Sequence, residues 1–97
     1  MQFKLQFAER AGLKIKELEL DKSKKGLFKQ VGKVLGYMET NLKHPSLNTH
    51  KFSGLTCSLG DVFETYAQNN TPGAYRVFWA YGPGKKELYI LDITPHP

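Results

Sequence analysis

The sequence has few of the features that mark secreted or membrane proteins. Its 97 residues include one cysteine, Cys57, which cannot form an internal disulfide, so a reducing compartment is the simplest interpretation. No apolar run approaches the roughly 18 residues that a membrane-spanning helix requires. The first four residues begin a charged strand rather than a signal peptide. We therefore predict a soluble protein of the cytoplasm.

The sequence also lacks the spacings that bind metals and nucleotide phosphates. Its histidines stand at positions 44, 50 and 96, and together with Cys57 they form neither a CxxC nor an HxxxH pattern. Residues 82–86 are rich in glycine and lysine but join two predicted strands, whereas a phosphate-binding loop of that kind joins a strand to a helix. We expect neither a metal nor a cofactor.

What the sequence does contain is an uneven distribution of charge. The net charge is +5, and residues 1–51 hold eleven Lys and Arg against five Asp and Glu, whereas residues 52–97 hold three against four. A basic surface of this kind suits a polyanionic partner such as nucleic acid. The alternative is that the lysines only keep the outer faces of amphipathic helices soluble.

The pattern of apolar residues predicts one α+β domain over residues 1–97. Residues 2–7 alternate like a strand, residues 8–22 and 27–42 have helical composition or spacing, and residues 62–68 and 74–93 are typical of strands. The Gly-Pro-Gly turn at residues 82–84 makes the last segment an antiparallel hairpin at the centre of the sheet. We expect the two helices to pack as a hairpin on one face of a small antiparallel sheet formed mainly by the C-terminal half.

Two glycines interrupt the second predicted helix. Gly32 and Gly36 lie one turn apart, where each costs up to about 1 kcal/mol relative to alanine. Such a cost suggests that another part of the backbone approaches the helix closely, although simple tolerance also explains the pair.

Arg76 is the one charge in a strand that we expect to be central. It lies between Tyr75 and Val77, where an unpaired charge is expensive. One explanation is an ion pair with Glu64 on the preceding strand or with Asp92 on the following strand. The other is a guanidinium held at the sheet surface to bind a phosphate, and the two explanations are compatible.

His96 is the second residue that apolar packing does not explain. Pro95 and Pro97 restrict the backbone on both sides of it, which suggests deliberate placement. Imidazole suits acid or base catalysis near neutral pH, but a lone terminal histidine is also an ordinary solvated residue.

Three stretches together resemble the RelE/ParE superfamily of toxins from bacterial toxin–antitoxin pairs. They are KFSGL at residues 51–55, GAYRVFW with Arg76 at residues 73–79, and the apolar strand at residues 88–93 that leads into Thr94, Pro95 and His96. The order of the predicted elements is similar along nearly the whole chain. The resemblance implies a small antiparallel sheet with two N-terminal helices and, in the RelE branch, a metal-independent endoribonuclease that cuts mRNA on the ribosome.

The resemblance also implies roles for individual residues. Arg76 matches the strand arginine and would stabilise the negative charge on the phosphorane, while His96 matches the C-terminal histidine of some branches and would act as acid or base. Glu64 would be the catalytic counterpart of His96. Strand 62–68 carries no Lys or Arg, unlike several relatives, and this favours an acid and base pair over a lysine-rich mechanism.

Substrate binding would fall to other residues. Lys51, His50 and the basic N-terminal half would hold the RNA backbone, and Tyr66 would stack on a base. The expected partners are a cognate antitoxin, mRNA and the ribosome, with the toxin as a monomer or in a heteromer with the antitoxin. We expect no membrane partner.

Two other functions suit the same fold. A ParE-like protein would poison gyrase by binding and would perform no RNA chemistry. A catalytically inactive binding module would use its sheet edge or a groove to hold a partner peptide, and Arg76 and His96 would then be structural.

Overall fold

The computed structural model describes residues 2–69 and 73–95. These residues form five strands and two α-helices, with a short 3-10 turn before and after the second helix. The strands are β1 (Lys4–Phe7), β2 (His50–Lys51), β3 (Phe63–Tyr66), β4 (Tyr75–Tyr81) and β5 (Glu87–Pro95), and the helices are α1 (Glu9–Leu20) and α2 (Lys25–Thr40). Within these described residues, no helix is long and apolar enough to cross a membrane.

The sheet is built around the hairpin of β4 and β5. The strand order is β1-β5-β4-β3-β2, and β4 pairs antiparallel with both β3 and β5. The hairpin therefore lies at the centre, as the sequence predicted. β1 pairs with β5 in the parallel direction, which makes the sheet mixed rather than wholly antiparallel. Both helices lie between these two strands in the chain, and such a long connection permits parallel pairing.

One face of the sheet carries the apolar core. Val77 and Trp79 of β4 are completely buried there, together with Leu88, Ile90 and Ile93 of β5. These side chains pack with the apolar stripes of the two helices, which include Ala11, Leu18, Val31, Val34 and Met38. Because side chains alternate along a strand, Arg76 and Phe78 must point to the other face. Neither helix covers that second face.

The two glycines of α2 do not mark a close contact. A Cβ atom placed on Gly32 or on Gly36 would meet no atom within 4 Å, apart from the backbone of the helix itself. The expectation of a close backbone approach is therefore wrong, and the helix simply tolerates these glycines.

Candidate functional site

A buried carboxylate lies on the open face of the sheet, on the strand next to the β2 edge. Glu64 stands in the middle of β3, opposite His50 on β2 and opposite Phe78 on β4. Its side chain is 2% exposed, and Oε1 lies 2.6 Å from Nε2 of His50. Its second oxygen, Oε2, lies 3.9 Å from Nε of Arg76. An ionised carboxylate at this depth is stable only with such partners.

His50 lies on the edge strand β2, between this carboxylate and the solvent. Its side chain is 46% exposed. Its second ring nitrogen, Nδ1, lies 2.8 Å from the carbonyl oxygen of Asn48. A carbonyl oxygen can only accept a hydrogen bond, so Nδ1 must be the donor. One proton is then shared between Nε2 of His50 and Oε1 of Glu64, and the pair is either imidazolium with carboxylate or imidazole with carboxylic acid.

Arg76 is held on the other side of the same carboxylate. Its Nη1 donates to the carbonyl oxygens of Gln68 and Tyr75, at 2.8 Å and 3.2 Å. Its Nε is buried and makes no hydrogen bond within the described chain. The negative charge that balances it is the carboxylate of Glu64. The ion pair with Glu64 that the sequence left open is therefore present. Asp92, the other candidate, instead lies 3.6 Å from Arg10.

Tyr66 completes the group by covering the guanidinium. The central carbon of that guanidinium, Cζ of Arg76, lies 3.6 Å from the centre of the Tyr66 ring, a favourable cation–π distance. The ring of His50 approaches the edge of the same tyrosine, with centroids 5.8 Å apart. We call Glu64, His50, Arg76 and Tyr66 the Glu64 cluster.

One of the predicted site residues within the described chain, Lys51, is not part of this cluster. Lys51 follows His50 directly, so its side chain points away by strand alternation, and its ammonium lies 3.2 Å from the carboxylate of Asp61. The helical lysines lie on the opposite side of the sheet. The two helices, which carry most of the predicted basic surface, therefore pack on the other face of the sheet, although Arg10 of α1 reaches Asp92. His96 lies outside the described residues.

The sequence interpretation overlooked the residue that orients His50. Asn48 has φ = 47°, in the left-handed region that asparagine tolerates better than most residues. This conformation places its carbonyl oxygen against Nδ1 of His50. The signal was the position of an asparagine just after the Pro45–Leu47 turn, where a left-handed residue commonly ends a helical turn.

The cluster contains the groups for acid–base chemistry but no site for a metal. Within residues 2–69 and 73–95, no three His, Cys, Asp or Glu side chains could hold a metal ion together. An imidazole and a carboxylate that share one proton can take up or release it, and a nearby guanidinium supplies positive charge. Glu64 itself is too deeply buried to touch a substrate, so His50 is the exposed member of the pair.

The fold resembles solved toxin structures. A chain of the archaeal RelE–RelB complex from Pyrococcus horikoshii superposes with a TM-score of 0.67 at 14% identity, over 98% of this chain and 96% of that chain. The YoeB/ParE toxin from Agrobacterium tumefaciens gives 0.71 at 6% identity, over 98% and 100%. A chain of the heterotetrameric YoeB–YefM toxin–antitoxin complex from Staphylococcus aureus gives 0.67 at 14% identity, over all of both chains.

The similarity lies in the three-dimensional structure and not in the amino-acid sequence. No protein-family model matches this sequence, and no curated protein sequence matches it significantly. At these identities the comparisons establish the fold, and they confirm the RelE-like α+β architecture that the sequence predicted.

Proposed function

We propose that this chain is the toxin of a toxin–antitoxin pair, and that it is a metal-independent endoribonuclease acting on mRNA at the ribosome in the cytoplasm. The observation that carries the proposal is the Glu64 cluster, in which a carboxylate, an imidazole and a guanidinium meet on the open face of the sheet. Cleavage of RNA without a metal uses groups of these kinds.

The reaction would be an attack of a ribose 2′-hydroxyl on the adjacent phosphorus. The bond from O2′ to phosphorus forms while the bond from phosphorus to O5′ breaks. A base takes the proton of the 2′-hydroxyl, and an acid gives a proton to the departing O5′. The products are a 2′,3′-cyclic phosphate and a 5′-hydroxyl end. Two proton-transferring groups and one source of positive charge are therefore required.

The pair of His50 and Glu64 supplies one proton-transferring group. In the free protein both ring nitrogens of His50 are engaged, one with Glu64 and one with the Asn48 carbonyl. Substrate must therefore open one of these two bonds before His50 exchanges a proton, and catalytic hydrogen bonds often rearrange in this way on binding. Glu64 acts behind His50 as its positioning residue and proton partner. His96 remains our prediction for the second group.

Arg76 supplies the positive charge. Its side chain is 9% exposed, so most of its surface faces Tyr66, Glu64 and the backbone of its own sheet. A fixed charge in such a poorly hydrated place acts strongly over short distances. The partial neutralisation by Glu64 weakens this field.

We further propose an antitoxin as the protein partner. The solved structures with this fold include a RelE–RelB complex and a YoeB–YefM toxin–antitoxin complex. Exposed apolar side chains on α1, Leu13 and Leu20, offer contact area to such a partner.

The test is expression of the chain under tight control without an antitoxin, followed by mapping of the 5′ ends of cellular RNA. We expect growth arrest and new 5′-hydroxyl ends. His50→Gln should reduce cleavage by at least about 100-fold, in the range of a lost acid–base group. His44→Gln is the matched control, because His44 lies outside the Glu64 cluster and bonds to Ser46. Normal growth with no new ends, at verified expression, overturns the proposal.

A gyrase-directed toxin is the second candidate. The burial of Arg76 and the position of the helical lysines behind the sheet favour this protein-binding alternative, since both leave little cationic surface near the cluster. If the Arg76→Ala and His96→Ala variants fold, remain toxic and raise DNA damage markers, the gyrase function replaces the nuclease.

A further inference from the structure

A small pocket opens on the same sheet face as the Glu64 cluster. Its volume is about 250 Å³, and its walls include Phe52, Leu55, Phe78, Asp92 and Thr94. Phe78 lies directly opposite Glu64 on the adjacent strand, and Thr94 lies directly opposite Arg76 on the adjacent strand. The pocket therefore adjoins the place where the proposed chemistry occurs.

The walls of the pocket are aromatic on one side. The rings of Phe52 and Phe78 have centroids 4.9 Å apart and are tilted by 56°. Phe52 lies directly against the backbone of Gly54, where an added Cβ would come within 2.6 Å of the ring. Glycine at that position is therefore what lets the Phe52 ring lie where it does. Aromatic walls of this size suit the flat face of a nucleobase.

The lining also carries a carboxylate, that of Asp92, which lies directly opposite Phe78 on the adjacent strand. Oδ1 of Asp92 accepts a hydrogen bond from the backbone N–H of Ile93 at 2.8 Å, and Oδ2 lies 3.6 Å from Nη1 of Arg10. An ionised carboxylate offers about four lone-pair sites, so acceptor capacity remains on both oxygens. Arg10 is 78% exposed and Asp92 is 19% exposed, and an ion pair of this length with one partner in solvent contributes little. Asp92 is thus available to a ligand that presents hydrogen-bond donors.

Two adjacent hydrogen-bond acceptors, the oxygens of one carboxylate, match only one of the four RNA bases. Guanine presents N1–H and the 2-amino group side by side on its Watson–Crick edge. Adenine and cytosine present one amino group beside an unprotonated ring nitrogen, which a carboxylate repels. Uracil presents one N–H between two carbonyl oxygens. A carboxylate on an aromatic wall therefore matches guanine best.

We propose that this pocket binds a guanine base of the RNA substrate next to the scissile phosphate, with Asp92 reading N1–H and the 2-amino group and with Phe52 packing on the ring. This inference rests on the proposed function, since it takes RNA as the substrate. It makes Asp92 a specificity-determining residue.

The first test compares ligands on the unmodified protein. Guanosine, inosine and adenosine 3′-monophosphates are titrated separately, and binding is followed through the backbone amide signals in NMR spectra. We expect guanosine 3′-monophosphate to bind at least about tenfold more tightly than the adenosine compound. The inosine compound, which lacks the 2-amino group, should lie between them. The shifted signals should include Phe52, Gly54 and Thr94. Equal affinities, or shifts confined to another surface, overturn the inference.

The second test changes the carboxylate. Asp92→Asn keeps the shape and the acceptor for Ile93 but replaces one acceptor with a donor, and it should abolish the preference for guanosine 3′-monophosphate. Asp61→Asn is the matched control, because Asp61 is a carboxylate that pairs with Lys51 outside the pocket. An unchanged preference in Asp92→Asn refutes the role of Asp92. If Asp92→Asn does not fold, the comparison of ligands on the unmodified protein decides.

The outcomes separate this inference from the proposed function. A protein that cleaves RNA with no preference for guanine refutes the pocket alone. A protein that binds guanosine 3′-monophosphate here, yet neither cleaves RNA nor arrests growth, refutes the nuclease and supports a guanine site.

Discussion

Nδ1 of His50 donates a hydrogen bond to the carbonyl oxygen of Asn48, its neighbour two positions earlier, at 2.8 Å. Asn48 makes this contact from the left-handed region, at φ = 47°. The backbone conformation of Asn48 therefore helps to set the orientation of the exposed imidazole, together with the contacts of His50 to Glu64 and Tyr66.

Asn48→Val should lower the free energy of unfolding by roughly 1–2 kcal/mol, because a β-branched residue is strained in the left-handed region. Asn48→Gly should have little effect, since glycine enters this region freely. Urea denaturation measures both values. Asn41→Val is the control, because Asn41 has a negative φ of −152° and lies outside the left-handed region. Equal losses at positions 41 and 48 would mean that the left-handed conformation of Asn48 is not the reason that valine is costly there.

Glu64→Ala should be strongly destabilising, by about 3 kcal/mol, because it leaves the buried guanidinium of Arg76 without a counter-charge. Glu64→Gln should cost less, since its amide oxygen still accepts a hydrogen bond. Thermal and urea denaturation check both variants. Glu19→Ala, which removes an exposed carboxylate from α1, should change the stability by no more than about 0.5 kcal/mol. A Glu64→Ala protein as stable as Glu19→Ala would mean that the ion pair is not needed.

Tyr66→Phe should keep the stability of the protein, because the ring that covers Arg76 is unchanged. Tyr66→Leu retains apolar area but removes the aromatic face, and it should lose about 1 kcal/mol of cation–π interaction in addition to packing. The two variants are compared by urea denaturation. A Tyr66→Leu protein as stable as Tyr66→Phe would show that the ring acts only as apolar cover.

Gly32→Ala and Gly36→Ala should each stabilise the protein by about 0.5–1 kcal/mol, since both glycines lie inside α2 and an added methyl group meets open space. The melting temperature reports the gain. Gly60→Ala serves as the contrast: Gly60 has φ = 121°, so the substitution there should destabilise despite the open space. Destabilisation by both helical substitutions would contradict the open space that the structure shows around Gly32 and Gly36.

Thr65→Val should cost about 1–3 kcal/mol, because the indole N–H of Trp79 donates to the Thr65 hydroxyl at 2.8 Å and would be left buried without a partner. Thr49→Val is the control. The Thr49 hydroxyl lies 3.0 Å from the same oxygen, but Thr49 is exposed and water can replace it. Urea denaturation should separate the two variants clearly, and near-equal losses would argue that the indole bond contributes little.

The centre of the sheet could be predicted because β4 has a clear period of two. That period places Trp79 and Arg76 on opposite faces, and it places Glu64 on the same face as Arg76 once β3 and β4 are taken as neighbours. The ion pair of Glu64 and Arg76 could therefore be predicted from the sequence. The direction of β1 could not be predicted, because the alternating pattern of residues 2–7 carries no information about which strand pairs with it.

The position of His50 could not be predicted for a different reason. It depends on the path of the loop between α2 and β2, and this path is fixed by one left-handed residue rather than by any apolar pattern. The pocket beside the cluster was missed for the same reason, since Phe52 reaches Phe78 only because the chain after β2 turns back across the sheet. Loop conformations of this kind depend on single residues and leave little periodic signal.

The parallel pairing of β1 with β5 also determines when the sheet can be completed during synthesis of the chain. Residues 4–7 are synthesised first, but their partners at residues 87–90 are made about 80 residues later. Closing so long a stretch of chain is entropically costly and slows folding. β5 must leave the ribosome before it can pair with β4 in the central hairpin and with β1 at the edge of the sheet. The Glu64 cluster needs only β2, β3 and β4, so all of its strands are synthesised before β5, and it can form before the sheet is completed by the pairing of β5 with β1.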